Sequence, residues 1–252
     1  MDKRRADAHL AMLAAMRLLA VDTATEACSA ALMIDGGVVE RFEVAGRTHT
    51  ERLLPTVQGL LAEAGIKPAQ LDGLVAGVGP GSFAGSRIAV GLVKGMALAL
   101  DRPVVGVGSL AMLAQAAADA GAQRVLACID ARMSEVYWGA YERDAQGLVR
   151  PLLADAVTPP GEIACELAGE GWHAVGTGWG TYEALLRQRL GIGIAELDGG
   201  ALPHAATALR LALPIFQAGQ GMSGDDLAPA YLRDRVALTL VEQQAARAAK
   251  AG

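Results

Sequence analysis

The chain has 252 residues, of which 52% are apolar and 19% charged, and its formal net charge is −5. This apolar fraction excludes a disordered chain, and the excess of acidic residues disfavours a protein that binds nucleic acid on its own. Cys28, Cys128 and Cys165 lie far apart with no C-x-x-C pair, which indicates reduced thiols rather than a disulfide framework or a zinc site.

The first sixteen residues resemble a signal peptide only weakly, because their apolar stretch is short and carries no clear cleavage site. Met16 is a plausible start, so we expect residues 1–16 to be an N-terminal extension outside the fold. No uninterrupted apolar run reaches the roughly 20 residues of a membrane span.

The first half of the chain predicts elements in the order β-β-β-α-β-α-β. Apolar runs predict strands over 17–22, 28–34, 38–44, 71–78 and 103–107, with a hairpin turn at Asp35-Gly36-Gly37. Helical spacing predicts helices over 49–64 and 83–100. In the first of them, Thr48 and Glu51 form a capping-box pattern and Pro55 is expected to bend the helix. This order predicts a mixed sheet with crossover helices on its faces.

The second half loosely repeats that order. The predicted helices cover 109–120, 181–190 and 203–218, the predicted strands cover 124–129, 135–141 and 173–175, and 147–158 is a loop or strand edge. We therefore expect two related α/β lobes, 17–107 and 108–235, followed by a C-terminal tail over 236–252. The tail is rich in alanine and glutamine.

Three polar or glycine-rich turns are candidates for phosphate binding. Asp22, Thr23 and Thr25 follow the first strand, where a carboxylate and hydroxyls can hold a metal–phosphate group or simply bond to the backbone of the turn. Ala24 stands where glycine would admit a phosphate more closely. The loop 79–85 resembles an anion-binding loop without the lysine of a P-loop. The third turn contains Gly176, Thr177 and Gly178.

The predicted helix over 83–100 contains small residues at every fourth position. One series is Gly81, Gly85 and Ala89, and the other is Gly91, Gly95 and Ala99. Glycine inside a helix costs roughly 1 kcal/mol relative to alanine, so another backbone is expected to approach closely, either from the protein's own sheet or from a second subunit. The helix over 49–64 has more apolar residues than one buried face needs, which favours an interface made by both helices. The expected interface residues are Leu53, Leu54, Val57, Leu61, Ile88, Gly91, Leu92 and Gly95.

The four histidines are isolated, without an H-x-x-x-H or H-E-x-x-H pattern. We therefore expect no protein metal site. No G-x-S-x-G sequence supports a serine nucleophile either.

Six segments, in order along the chain, together resemble the TsaB (YeaZ) family of tRNA threonylcarbamoyladenosine biosynthesis proteins. They are RLLAVDTATEACSAAL (17–32), RTHTERLLPTVQGLL (47–61), VGPGSFAGSRIAVGLVKGMALAL (78–100), ACIDARMSEVYWGAY (127–141), VGTGW (175–179) and AYLRD (230–234).

The resemblance implies the two-lobed α/β fold of actin and the sugar kinases (the ASKHA fold). It implies a non-catalytic, cofactor-free cytoplasmic subunit, not itself an enzyme, that pairs with a TsaD-like transferase and is joined by a TsaE-like ATPase. That complex forms threonylcarbamoyladenosine at position 37 of tRNAs reading codons that begin with A. The family's interface helices match 49–64 and 83–100, and the isolated protein is expected to form a homodimer there. Contact with tRNA is expected only through the complex, and none with a membrane.

The catalytic sister family carries a metal-binding H-x-x-x-H after the strand that matches 103–107. By that correspondence, the ligands are replaced here by Ser109 and Leu113, and leucine cannot ligate a metal. Two alternatives remain open from the residues. An ATP-dependent phosphotransferase or ATPase would use the turns at Asp22 and Gly176, with Asp130 as the second carboxylate, and a peptidase would need metal ligands that the pattern lacks.

Overall fold

The computed structural model describes residues 16–46, 48–163 and 167–233. The predicted N-terminal extension up to residue 15, Cys165 and the predicted tail over 236–252 lie outside these residues.

The first sheet has five strands in the order β3-β2-β1-β4-β5. They are β1 (Leu18–Asp22), β2 (Ala27–Ile34), β3 (Gly37–Val44), β4 (Gly73–Gly79) and β5 (Val104–Gly108). Strands β1, β2 and β3 are antiparallel neighbours, whereas β4 is parallel to both β1 and β5. Asp35 and Gly36 have φ of 49° and 79°, which is the backbone that a two-residue hairpin turn requires.

The second sheet repeats this topology. Its strands are β6 (Arg124–Asp130), β7 (Val136–Arg143), β8 (Val149–Pro151), β9 (Ala156–Thr158), β10 (Trp172–Val175) and β11 (Ile194–Asp198). The order is β11-β10-β6-β7-β8, with β9 also paired to β7. The pairs β6–β7 and β7–β8 are antiparallel, and β10 is parallel to β6 and β11. The expectation of two mixed sheets, each beginning as a hairpin, is therefore confirmed.

Five helices flank the sheets within the described residues. They are α1 (His49–Glu63), α2 (Phe83–Leu100), α3 (Ser109–Asp119), α4 (Thr177–Leu190) and α5 (Ala205–Gln217). Helices α1 and α2 cover one face of the first sheet, where Leu53 and Val93 pack with Val21. This places α1 and α2 on the outside of the first lobe.

Helix α5 covers the opposite face of the first sheet, where Leu209 and Ala212 pack against Leu18. The sequence prediction assigned this helix to the second lobe, and for α5 that boundary is wrong. An apolar helix packs on whichever sheet face is otherwise uncovered, and chain order does not determine which face that is.

Two local predictions also differ from the structure. The Thr48 side chain makes no capping bond, and its hydroxyl instead donates to the Ala45 carbonyl at 2.9 Å. Helix α4 begins at Thr177, four residues earlier than predicted, and is kinked at Tyr182, whose φ is −125°. Of the predicted turn, Thr177 and Gly178 are therefore part of the helix, and Gly176 immediately precedes it.

By length and composition, α2 is long and apolar enough to cross a membrane, the one such helix in the described part of the chain. The core helix of a globular protein meets the same two criteria, and 33% of α2 is buried here. The remaining surface of α2 carries the exposed residues described below.

Candidate functional site: the interlobe cleft and the outer face of helices α1 and α2

Asp22 lies at the end of β1 with no exposed surface. Its Oδ2 accepts a long bond from the Ala24 amide at 3.4 Å, and its Oδ1 has no partner within the described residues. Burial raises the pKa of Asp22 from 3.8 to about 7, and the Ala24 bond and the charge of His204 oppose that rise. Asp22 is thus a buried carboxyl whose ionised form is costly.

The loop 79–85 packs directly on the turn that follows Asp22. The Ser82 amide donates to the Ala24 carbonyl at 2.6 Å, and the Thr23 hydroxyl donates to the Gly85 carbonyl at 2.7 Å. A Cβ at Gly85 would overlap the Thr23 carbonyl, which is why glycine is required there. The two candidate phosphate-binding segments therefore bond to each other through the Ser82 amide and the Thr23 hydroxyl.

The third turn has a comparable structural role. Gly176 has a φ of 103°, and a Cβ on either Gly176 or Gly178 would overlap Cys128 of β6. The Thr177 hydroxyl accepts from the Asp130 amide at 3.1 Å. These glycines allow α4 to start against the second sheet.

The structure brings little of the predicted phosphate site together. Thr25 lines the cleft between the lobes, and Asp130 lines it from the second lobe. Asp22, Thr23, Gly176 and Gly178 are not among the residues that line it.

The two positions predicted to replace metal ligands are buried. Ser109 has no exposed surface and its hydroxyl has no partner within the described residues, and Leu113 is 2% exposed in the core of the second lobe. Across residues 16–46, 48–163 and 167–233, no three His, Cys, Asp or Glu side chains are grouped to hold a metal ion.

Three histidines have other contacts. His49 Nε2 lies 3.1 Å from the Ala27 carbonyl, and His173 lies 3.5 Å from Glu196. His204 Nδ1 lies 2.9 Å from Glu40. Each ring therefore has a local partner.

The cleft between the lobes has a volume of about 810 Å³. Its walls are the turn after β1, the first turns of α1 and α2, the end of β6 with its following turn, and residues 229–233. Arg132 in the second lobe bridges to Glu26 of the first lobe at 3.0 Å and also pairs with Asp130 at 3.2 Å. Arg233 pairs with Glu135 at 2.5 Å.

Sequence reasoning did not identify the aromatic–arginine stack at the mouth of this cleft. The guanidinium carbon of Arg87 lies 3.3 Å from the centroid of the Phe83 ring and 5.0 Å from that of Tyr231. Phe83 and Tyr231 are 59% and 57% exposed. The four-residue spacing of Phe83 and Arg87 on one helix was the available signal, whereas Tyr231 is distant in sequence.

The predicted interface on α1 needs correction. Leu53, Val57 and Leu61 are only 2%, 2% and 5% exposed and belong to the core beneath the helix, so they contribute no outer surface. Leu54, next to Leu53 in sequence, is 48% exposed. The apolar excess on α1 reflects a wide contact with the first sheet.

The two series of small residues on α2 have different surroundings. Gly85 and Ala89 are buried against the protein itself, whereas a Cβ added at Gly91 or Gly95 would meet no atom within 4 Å. Leu92 is half-buried against the core of the first lobe. The exposed residues of α2 include Phe83, Ala84, Gly91, Gly95, Leu98 and Ala99. We call Ala84, Ile88, Gly91, Gly95 and Leu98, which lie along one side of the helix, the outer stripe; its Ile88 is half-buried and, like Leu92, packs partly against the core of the first lobe.

The outer stripe has the spacing of a helix–helix seam. Its successive members are four, three, four and three residues apart, the repeat that keeps one side of a helix against a partner helix. Leu98 is 83% exposed, and Ile88 is half-buried. The two glycines at its centre leave room for a second backbone.

Comparison with known proteins gives consistent similarities. Residues 22–172 match the family model for TsaD, tRNA N6-adenosine threonylcarbamoyltransferase. The tRNA threonylcarbamoyladenosine biosynthesis protein TsaB of Escherichia coli (strain K12) is 44% identical over 88% of this chain and 96% of its own length. The TsaB protein of Haemophilus influenzae is 37% identical over 88% of this chain and 95% of its own length. The structure of YeaZ from Pseudomonas aeruginosa superposes with a TM-score of 0.80 at 46% identity, covering 86% of this chain and 100% of that one.

Proposed function

Since the chain belongs to the TsaB (YeaZ) family of tRNA threonylcarbamoyladenosine biosynthesis proteins, we propose that it is a non-catalytic subunit that pairs with a TsaD-like transferase. The observation that carries this proposal is the outer stripe. Here an 18-residue helix with a mostly apolar composition exposes a regular seam instead of burying it.

The stripe supports close pairing with another helix. Glycines at positions 91 and 95 permit two backbones to approach, and a leucine or isoleucine buried there contributes about 1.5–3 kcal/mol. Leu54 on α1 is a further exposed apolar residue of the same lobe. In the absence of the transferase, the same surface serves self-pairing, so homodimer and heterodimer compete.

The buried turns support the absence of catalysis by this subunit. Asp22 is fully buried, and the Thr23 hydroxyl and Ser82 amide are bonded within the protein. Ser109 and Leu113 occupy buried positions. The transfer of the threonylcarbamoyl group to adenosine is assigned to the TsaD-like partner, with a TsaE-like ATPase as the third cytoplasmic component and tRNA reached through the complex.

Reconstitution tests this function. Unmodified tRNA is supplied with ATP and with threonylcarbamoyl adenylate as the donor, and its modification is measured with the chain, the TsaD-like subunit and the TsaE-like ATPase together and with each omitted. We expect modification to require all three and the chain alone to turn over no ATP. ATP turnover by the purified chain, at a rate that Asp22→Asn or Asp130→Asn abolishes, would instead support the phosphotransferase or ATPase alternative.

A further inference from the structure

We propose that Arg87 receives a carboxylate from the protein partner that packs along the outer stripe. This inference rests on the proposed function and specifies the chemistry of the partner at that surface. Arg87 lies in the first part of α2, beside Ile88 of the stripe, and both residues line the mouth of the interlobe cleft.

The Arg87 side chain is already oriented. The Phe83 and Tyr231 rings stack with its guanidinium, and Nη1 donates to the Phe83 carbonyl at 2.7 Å. Within the described residues, Nε and Nη2 have no acceptor. A planar guanidinium fixed in this way loses little further freedom when it binds a carboxylate through two parallel bonds.

The charged side chains that line the cleft favour binding of a group with a single negative charge. Arg132 is paired with two carboxylates and Arg233 with one, whereas no carboxylate in the described part of the chain lies within 4.0 Å of Arg87. One uncompensated cation matches one carboxylate. A nucleoside triphosphate or an RNA strand would bring several charges against Glu26 and Asp130, in a chain whose net charge is −5.

The position of Arg87 favours a protein as the source of this carboxylate. Ala84 and Ile88 of the stripe line the same cleft mouth, so a helix that covers the stripe also reaches Arg87. Covering an arginine without supplying an acceptor is strongly unfavourable.

Binding of the purified TsaD-like subunit is measured for the wild type, Arg87→Glu and Arg87→Lys at low and high salt. The matched control is Arg187→Glu, which makes the same change in net charge at an exposed ion pair on α4. We expect Arg87→Glu to raise Kd at least about 30-fold at low salt. Arg87→Lys should lose less, because the charge remains and only the paired donors are lost, and Arg187→Glu should match the wild type.

A charge exchange then identifies the partner residue. Acidic surface residues of the partner are replaced singly by lysine, and we expect one replacement to restore binding to Arg87→Glu. If the wild type does not bind the partner, the proposed function fails. If the wild type binds and Arg87→Glu binds as tightly as Arg187→Glu, this inference fails and the proposed function stands. Loss of ATP or RNA-oligonucleotide binding in Arg87→Glu, with partner binding unchanged, also overturns it.

Discussion

The Thr23 hydroxyl donates to the Gly85 carbonyl at 2.7 Å and thereby joins the turn after the first strand to the first turn of α2. Both groups are buried, and the two residues are 62 positions apart in sequence. A segment that could hold phosphate is instead part of the contact that positions the outer stripe.

Thr23→Val tests this contact. Valine has nearly the shape of threonine but leaves the Gly85 carbonyl without its donor, so we expect a loss of about 1–3 kcal/mol in the free energy of unfolding. Urea denaturation of the isolated chain measures the loss. Thr56→Val is the control, because the Thr56 hydroxyl bonds only its own helix at the Arg52 carbonyl and is expected to change stability by less than about 0.5 kcal/mol.

The neighbouring leucines of α1 distinguish core from interface. Leu53→Ala removes a side chain that is 2% exposed and is expected to cost about 2–5 kcal/mol of stability. Leu54→Ala changes a side chain that is 48% exposed, so the monomer should keep its stability while partner binding weakens. Denaturation and binding titrations of both variants give the two readouts, and a large stability loss in Leu54→Ala would contradict the assignment.

The sequence was sufficient to predict most of the strands, the hairpins and the repeated order of the lobes, because apolar runs and turn residues are local signals. It was insufficient to separate Leu53 from Leu54, since both belong to one apolar series and only the packed sheet determines which is buried. The placement of α5 on the first sheet and the stack of Tyr231 on Arg87 depend on contacts between distant segments. The strand β11 was missed because its residues are largely exposed and lack a continuous apolar run.

Asp22 makes stability depend on pH. Its pKa is raised by burial from 3.8 to about 7 in the folded chain, so the folded state binds the proton more tightly than the unfolded state. The penalty of the ionised carboxyl is therefore present above pH 7 and is relieved as pH falls from about 7 towards 4. Asp22→Asn removes this penalty, and we expect it to be more stable than the wild type at pH 8, by at most about 4 kcal/mol.

The stability of the wild type must be compared with that of Asp22→Asn at each pH, because the titration of His204 also lowers the stability of the fold as pH rises. The hydrogen bond that His204 donates to the Glu40 carboxylate raises the pKa of His204, so the stabilisation from this bond is also lost as pH rises. Denaturation of both proteins between pH 5 and pH 8 should show their stabilities converging at the acidic end. A constant difference across this range would show that Asp22 does not titrate there.

Gly91 separates the stability of the monomer from pairing more sharply than any leucine does. A Cβ at this position meets no atom within 4 Å, so Gly91→Ala should raise the free energy of unfolding of the monomer by up to about 1 kcal/mol. Gly91→Leu should leave the monomer folded as well, but its side chain would hold a second helix away from the stripe. We expect the homodimer and the complex with the TsaD-like subunit each to weaken at least about tenfold, which corresponds to 1.4 kcal/mol. Sedimentation velocity and partner titration measure the two associations.

Gly85→Ala is the control for a buried glycine and should instead destabilise the monomer, because its Cβ would overlap the Thr23 carbonyl. If Gly91→Leu dimerises and binds as the wild type does, the outer stripe is not the pairing surface.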